Sequence, residues 1–190
     1  MKTKINFAIF ASYNASSLDT IYKAIKNKEI DINIALVITN NSNANAIAKA
    51  EKLNIPCYVI NDKNSSDVNE AIINKLEHYN CSHVFLSGYM KKISSTIANK
   101  YTIINTHPAL LPKYGGAGMY GSFVHEAVIK NDESKSGVTI HYVNEKYDDG
   151  EIIFQDSLDI SENETAKTLE TKIKALEQNS IVKALKICLK

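Results

Sequence analysis

An amide, an imidazole and a carboxylate stand in this chain at spacings that suit acyl transfer. Asn105 and His107 are two residues apart, and Asp148 follows in the acidic turn Asp148-Asp149-Gly150. Side chains two apart on a strand point to the same side, and Pro108 keeps His107 extended at a strand end. An amide can bind an oxyanion, an imidazole can move a proton, and a carboxylate can orient the imidazole and raise its pKa. The pattern predicts acyl transfer without a metal or a covalent intermediate; a purely structural histidine is the alternative.

The segment after this histidine has the composition of a shaped functional loop. Four of the seven glycines fall between Gly115 and Gly121, and two of the three prolines are Pro108 and Pro112. Glycine and proline at this density indicate a loop that carries function. Two further histidines are weaker candidates: His141 alternates along a strand and is expected only to line the site, and His125 lies on a helix face.

Composition limits the possible classes of protein. The chain has 190 residues, 44% hydrophobic and 23% charged, with a net charge of +1. This length predicts a single α/β domain over residues 1–190. We expect a monomer or homodimer. The balanced charge gives no support for a nucleic-acid partner, and no apolar run approaches the roughly 20 residues of a membrane span.

The cysteines and the amino-terminal residues bear on location. Cys57, Cys81 and Cys188 are odd in number, far apart and not at metal-ligand spacing, so we expect reduced thiols in a cytoplasmic protein and no metal. The start, residues 1–11, has an apolar stretch of only about seven residues, the lower limit for a signal peptide. A first buried strand is the preferred interpretation.

Alternating apolar runs and amphipathic stretches predict a Rossmann-like, mostly parallel sheet flanked by helices. A β-hairpin-like pair and a long terminal helix follow. The predicted strands are Ile5 to Ala11, Ile32 to Thr39, Cys57 to Ile60, His83 to Leu86, Thr102 to Thr106, Gly137 to Val143 and Glu151 to Leu158. The predicted helices are Ser17 to Asn27, Ala44 to Leu53, Asp67 to Tyr79, Ser122 to Lys130 and Thr165 to Leu189.

Two other strand ends are candidate binding loops, because ligands of parallel α/β sheets bind at the carboxyl ends of strands. Residues 12–17, Ser-Tyr-Asn-Ala-Ser-Ser, suit a phosphate or carboxylate at a helix start; an ordinary serine N-cap is the alternative. In residues 87–93, Gly88 permits close backbone approach, and Met90 and Ile93 either line a pocket for a flat ring or lie in the core. The chain has neither a dinucleotide-binding glycine fingerprint nor a P-loop.

Several segments together resemble the formyltransferases that use 10-formyltetrahydrofolate. They are Asn105-x-His107-Pro108-x-Leu110-Leu111-Pro112, the loop Gly116 to Gly121, Val124 to Val128, Gly137 to Val143, Asp148-Asp149-Gly150 and Ile152 to Gln155. Within that superfamily they most resemble the branch that formylates glycinamide ribonucleotide in purine biosynthesis. The resemblance runs from about Ile5 to the terminal helix.

The resemblance implies roles for individual residues. Asn105, His107 and Asp148 fall on the family's catalytic amide, imidazole and carboxylate. The folate co-substrate would contact Asn105 and the loop Met90, Lys91, Lys92 and Ile93, and the ribonucleotide phosphate would contact Ala15, Ser16 and Ser17. The family has a carboxylate near the substrate amine where this chain has Glu177. The Leu111-Pro112 bond is expected to be cis, and Asp148 is expected to keep His107 charged, so that it can stabilise an oxyanion together with Asn105.

The chain departs from the family pattern at the phosphate loop. The family reads Ser-Gly-x-Gly-Ser-Asn, whereas residues 12–17 lack both glycines and the final asparagine. An amino-sugar nucleotide or methionyl-tRNA as the amine substrate, or a non-catalytic folate-binding protein, are the alternatives. The near-zero charge counts against tRNA, and the intact Asn105, His107 and Asp148 count against a protein that only binds.

Overall fold

The computed structural model describes residues 4–189 and confirms the predicted fold class. Its strands are β1 (Ile5–Ala11), β2 (Ile32–Thr39), β3 (Cys57–Val59), β4 (His83–Leu86), β5 (Thr102–His107), β6 (Lys135–Tyr142) and β7 (Ile152–Asp159). Its helices are α1 (Ser16–Lys26), α2 (Asn45–Lys52), α3 (Val68–His78), α4 (Ser95–Lys100), α5 (Ser122–Lys130) and α6 (Ala166–Cys188). The strand order is β3-β2-β1-β4-β5-β6-β7.

The chain divides into two compact units, with the boundary between Ile104 and Asn105. In the first unit β1 pairs in parallel with β2 and β4, and β2 pairs in parallel with β3. Phe7 to Ala11 are all buried, which explains why β1 is a continuous apolar run instead of an alternating one.

The second unit is built on the antiparallel pair β6 and β7, with α6 packed on this pair and α5 packed against α6. Val128 of α5 and Leu169 and Ile173 of α6 form a buried cluster. A capping box between Thr165 and Thr168 stabilises the start of α6. Each side chain accepts the backbone N–H of the other residue, which has no partner within the helix. The predicted hairpin-like pair and long terminal helix are confirmed.

Most predicted elements agree with the structure. Ile5–Ala11, Ile32–Thr39, His83–Leu86 and Ser122–Lys130 have the predicted bounds, and the ends of the other predicted elements differ by at most two residues. The helix α4 was missed because it has only six residues and a single buried side chain, Ile97, too few for a helical period to be recognised.

No helix in the described range is long and apolar enough to cross a membrane. Residues 1–3 of the signal-like start, and Lys190, lie outside the described residues.

Gly137 is predicted to be indispensable to the β6–β7 pair. A Cβ at this position would lie 2.1 Å from the Asp156 carbonyl oxygen and 2.6 Å from Leu110 Cδ2. Because backbone must move, Gly137→Ala should lower the free energy of unfolding by about 1–3 kcal/mol, measured by urea denaturation. Ser136→Ala is the matched control, since the buried Ser136 hydroxyl has no hydrogen-bond partner among the described residues. An unchanged midpoint for Gly137→Ala would contradict the prediction.

Candidate active site

His107 closes β5 and is almost completely buried, with 3% of its surface exposed. Its Nε2 lies 2.7 Å from the Tyr114 carbonyl oxygen. A carbonyl oxygen only accepts, so Nε2 carries the hydrogen. Its Nδ1 faces Asp148 Oδ2 at 3.5 Å, and this second nitrogen is therefore the one that can take up a proton.

Asp148 connects several groups of the second unit. Its Oδ1 lies 3.6 Å from His141 Nε2, while its Oδ2 approaches His107 and accepts the Gly116 backbone N–H at 2.9 Å. Asp148 has a left-handed backbone with φ of 52°, which is uncommon for a residue other than glycine. A Cβ at Gly115 would lie 2.5 Å from Leu111 Cδ2 and 3.2 Å from Asp148 Cβ, so a side chain there would require its neighbours to shift.

Asn105 joins the predicted catalytic group through His141. Asn105 Nδ2 lies 3.2 Å from His141 Nε2, and His141 Nδ1 donates to the Tyr142 carbonyl at 2.8 Å. The three predicted residues thus form a chain with His141 as the link between Asn105 and Asp148. The sequence interpretation undervalued His141. The available signal was that Thr139 and His141 place polar side chains at a spacing of two, alternating with the apolar Val138 and Ile140.

The expectation of a charged His107 is wrong for the resting protein. Burial lowers the pKa of His107 below its ordinary value and outweighs Asp148 and the Tyr114 carbonyl, which both raise it; His141 lowers it further. For Asp148, burial acts to raise the pKa, but its contacts with His141, His107 and the Gly116 N–H together lower it. The buried pair is therefore a neutral imidazole beside a carboxylate.

Glu177 of α6 contacts β5 from the other face. Thr106 Oγ1 donates to Glu177 Oε1, and Thr106 alternates with Asn105 and His107 along the strand. Burial raises the pKa of Glu177, and the Thr106 hydrogen bond opposes that shift. The Leu111-Pro112 bond is cis, as expected.

In the first unit, the loops after β1 and β4 are bonded to each other. Ser12 Oγ accepts the Met90 N–H at 2.7 Å and donates to Asn40 Oδ1 at 2.6 Å. Ser87 Oγ accepts the Ser17 N–H at 3.0 Å. The structure therefore brings together the two loops that the sequence analysis singled out.

The start of α1 differs from an ordinary serine N-cap. The N-cap residue is Ala15, which has no side chain that can cap and takes a left-handed backbone with φ of 46°. Ser16 is exposed. The hydroxyl of Ser17 is buried and has no hydrogen-bond partner among the described residues.

The residues predicted to hold the flat ring have different environments. Met90 is 43% exposed, so it is not a core residue, whereas Ile93 is buried. Lys91, Lys92 and Ile93 line a hollow of about 240 Å³ together with Tyr89. A wider hollow of about 730 Å³ lies near Glu77 and Lys100 and contains none of the candidate residues; its size does not make it the site, because chemistry requires suitable groups.

Comparison with known proteins identifies the family. The model of the formyl transferase family matches residues 5–185. The chain is 34% identical over 187 residues to phosphoribosylglycinamide formyltransferase from Bacillus subtilis, covering 94% of this chain and 93% of the relative. It is 29% identical to the trifunctional purine biosynthetic protein adenosine-3 of Gallus gallus, covering 97% of this chain and 18% of that protein.

Solved structures agree with the sequence relatives. The crystal structure of phosphoribosylglycinamide formyltransferase from Bacillus halodurans superposes with a TM-score of 0.88 at 30% identity, over 97% of this chain and 95% of that one. Since the family model spans both compact units, the chain belongs to the formyl transferase family.

Proposed function

We propose that this protein transfers the formyl group of 10-formyltetrahydrofolate to the amine of glycinamide ribonucleotide, a step of purine biosynthesis. The observation that carries the proposal is the buried group in which Asp148 lies between His107 and His141, with Asn105 hydrogen-bonded to His141. The relatives named above for this activity are similar along nearly the whole chain. Both substrates are small molecules.

The reaction requires one proton to move. The substrate amine forms a bond to the formyl carbon, the bond from that carbon to N10 of the folate breaks, the amine loses a proton and N10 gains one. Neutral His107 accepts the proton at Nδ1, because its Nε2 hydrogen is held by the Tyr114 carbonyl. The Asp148 carboxylate at 3.5 Å stabilises the imidazolium until N10 receives the proton.

Asn105 is the proposed donor to the oxyanion that forms at the formyl carbon. An amide nitrogen carries two hydrogens, so Asn105 can donate to His141 and to the oxyanion at the same time. A donor already fixed in place before the reaction stabilises the charge without the cost of reorganisation. In this proposal His107 moves the proton and Asn105 binds the oxyanion.

The remaining contacts of the substrates are assigned by the resemblance and supported by local chemistry. Ala15, Ser16 and Ser17 bind the ribonucleotide phosphate, using the backbone N–H groups at the start of α1. Glu177 binds near the amine. The folate contacts Asn105 and the loop of Met90, Lys91, Lys92 and Ile93.

We propose further that residues 1–190 act as one formyltransferase domain, since a single family model matches residues 5–185. A cytoplasmic location is in keeping with the three free cysteines. A monomer or homodimer without nucleic-acid or membrane partners completes the proposal.

A direct assay tests the reaction. Purified protein is incubated with 10-formyltetrahydrofolate and glycinamide ribonucleotide, and tetrahydrofolate release and formyl transfer are measured together. Asn105→Ala should reduce kcat by about 10²–10³, the usual effect of removing one oxyanion donor. His107→Ala and Asp148→Ala should each reduce kcat by at least about 10²-fold, the lower end of what a general acid–base group contributes. Asp149→Ala and His78→Ala are matched controls, because both side chains are exposed and lie outside the catalytic group.

Each substrate outcome separates the proposal from its alternatives. Turnover only with an amino-sugar nucleotide would show that the amine substrate is different, while the proposed formyl transfer would still hold. Folate binding without turnover for any amine would overturn the proposal, as would near-normal rates for any of the three variants.

The charge state of His107 has its own test. Because burial depresses the pKa of His107 while Asp148 raises it, Asp148→Asn should lower that pKa further. The imidazole signals of 15N-labelled protein, titrated between about pH 4 and 8, report the change. Since the neutral ring is the proposed proton acceptor, kcat/KM of the wild type should fall as the pH drops through the His107 pKa. A His107 pKa that rises in Asp148→Asn would contradict this assignment.

A further inference from the structure

The segment that follows the catalytic histidine is held by two side chains of the β6–β7 pair. We propose that Thr139 and Gln155 are positioning residues for His107. They fix residues 109–111 and thereby keep His107 Nε2 within hydrogen-bonding distance of the Tyr114 carbonyl oxygen. The inference rests on the proposed function, because it concerns the same histidine.

The Thr139 hydroxyl uses all of its hydrogen-bonding capacity on this segment and its partner. It donates to the Ala109 carbonyl at 2.7 Å and accepts the Leu111 N–H at 3.0 Å. It also accepts from Gln155 Nε2 at 2.9 Å, and the same Nε2 donates to the Leu111 carbonyl at 3.0 Å. Three backbone groups of the segment are therefore satisfied by only two side chains.

The held residues lie between the two ends of a single hydrogen bond. His107 Nε2 and the Tyr114 carbonyl oxygen are 2.7 Å apart, and residues 109–111 lie between them in the chain. A shift of this segment would change the distance between ring and carbonyl. Displacements of about 1 Å can reduce turnover on the order of 10²-fold.

Register along β6 supports a shared function of this face of the strand. Gly137, Thr139 and His141 alternate with the residues facing the other way. Leu110 packs on Gly137, the backbone of residues 109–111 bonds to Thr139, and Asn105 bonds to His141. One face of β6 therefore contacts Asn105 and residues 109–111 through successive positions along the strand.

The test compares Thr139→Val, which keeps the shape of the side chain and removes the hydroxyl, with Thr139→Ser, which restores it. Ser136→Ala deletes a buried hydroxyl from the same strand that has no partner among the described residues. We expect Thr139→Val to lower kcat by about 10-fold or more while both KM values change by less than about 3-fold. Thr139→Ser should recover most of the rate, and Ser136→Ala should match the wild type.

A second readout separates positioning from stability. The Tyr114 carbonyl raises the pKa of His107, so loosening that hydrogen bond should lower the His107 pKa in 15N NMR titrations of Thr139→Val. Gln155→Met preserves side-chain volume at an exposed position and should shift kcat and the His107 pKa in the same direction. Gln155→Met also tests the inference if Thr139→Val does not fold.

The outcomes distinguish this inference from the function on which it rests. A wild-type protein that transfers no formyl group overturns the proposed function, while the titration of His107 still tests the positioning. A folded Thr139→Val protein with wild-type kcat and an unchanged His107 pKa overturns the positioning inference alone.

Discussion

The carboxylate of Asp148 is the constraint on which the proposed catalytic group depends. It has only 11% of its side chain exposed, yet it lies beside His107 and His141 and accepts the Gly116 N–H. Burial acts to raise the Asp148 pKa, and its contacts with His141, His107 and the Gly116 N–H together lower it. In the resting protein the Gly116 N–H, and not the neutral His107, donates a hydrogen bond to this carboxylate. These contacts come from β5, β6 and the glycine-rich loop. The charge is therefore stable only once all three have taken their places.

Burial of His107 creates a trade-off that suits a proton carrier. Water exclusion lowers its pKa, and Asp148 limits that decrease. A group that was charged at rest could not accept a proton from an amine, and one without a counter-charge could not hold it. Burial therefore favours the neutral form of His107, and Asp148 favours the protonated form. The expectation that Asp148 keeps the ring charged at neutral pH considered only the carboxylate.

Features that depend on residues close together in the sequence could be predicted, whereas contacts that depend on strand register could not. Apolar runs predicted β1, β2 and β4 with their bounds, and Pro108 placed His107 at a strand end. By contrast, Asn105 meets His141 at a separation of 36 residues, which only the pairing of strands can determine. The sign of the His107 pKa shift likewise needed burial, which no spacing reports. A six-residue helix such as α4 lacks the length to show a period.

The loop after β1, which is the proposed phosphate site, lacks both glycines of the family pattern. Ala15 holds a left-handed backbone although an L-residue pays roughly 1–2 kcal/mol for it, and it is almost fully buried. The hydrogen bonds of Ser12 to Met90 and of Ser87 to Ser17 hold the loop in that conformation. Such strain persists where surrounding structure enforces it, and commonly where a ligand binds. The phosphate contacts proposed for this loop are therefore backbone N–H groups at the start of α1, instead of positive side chains.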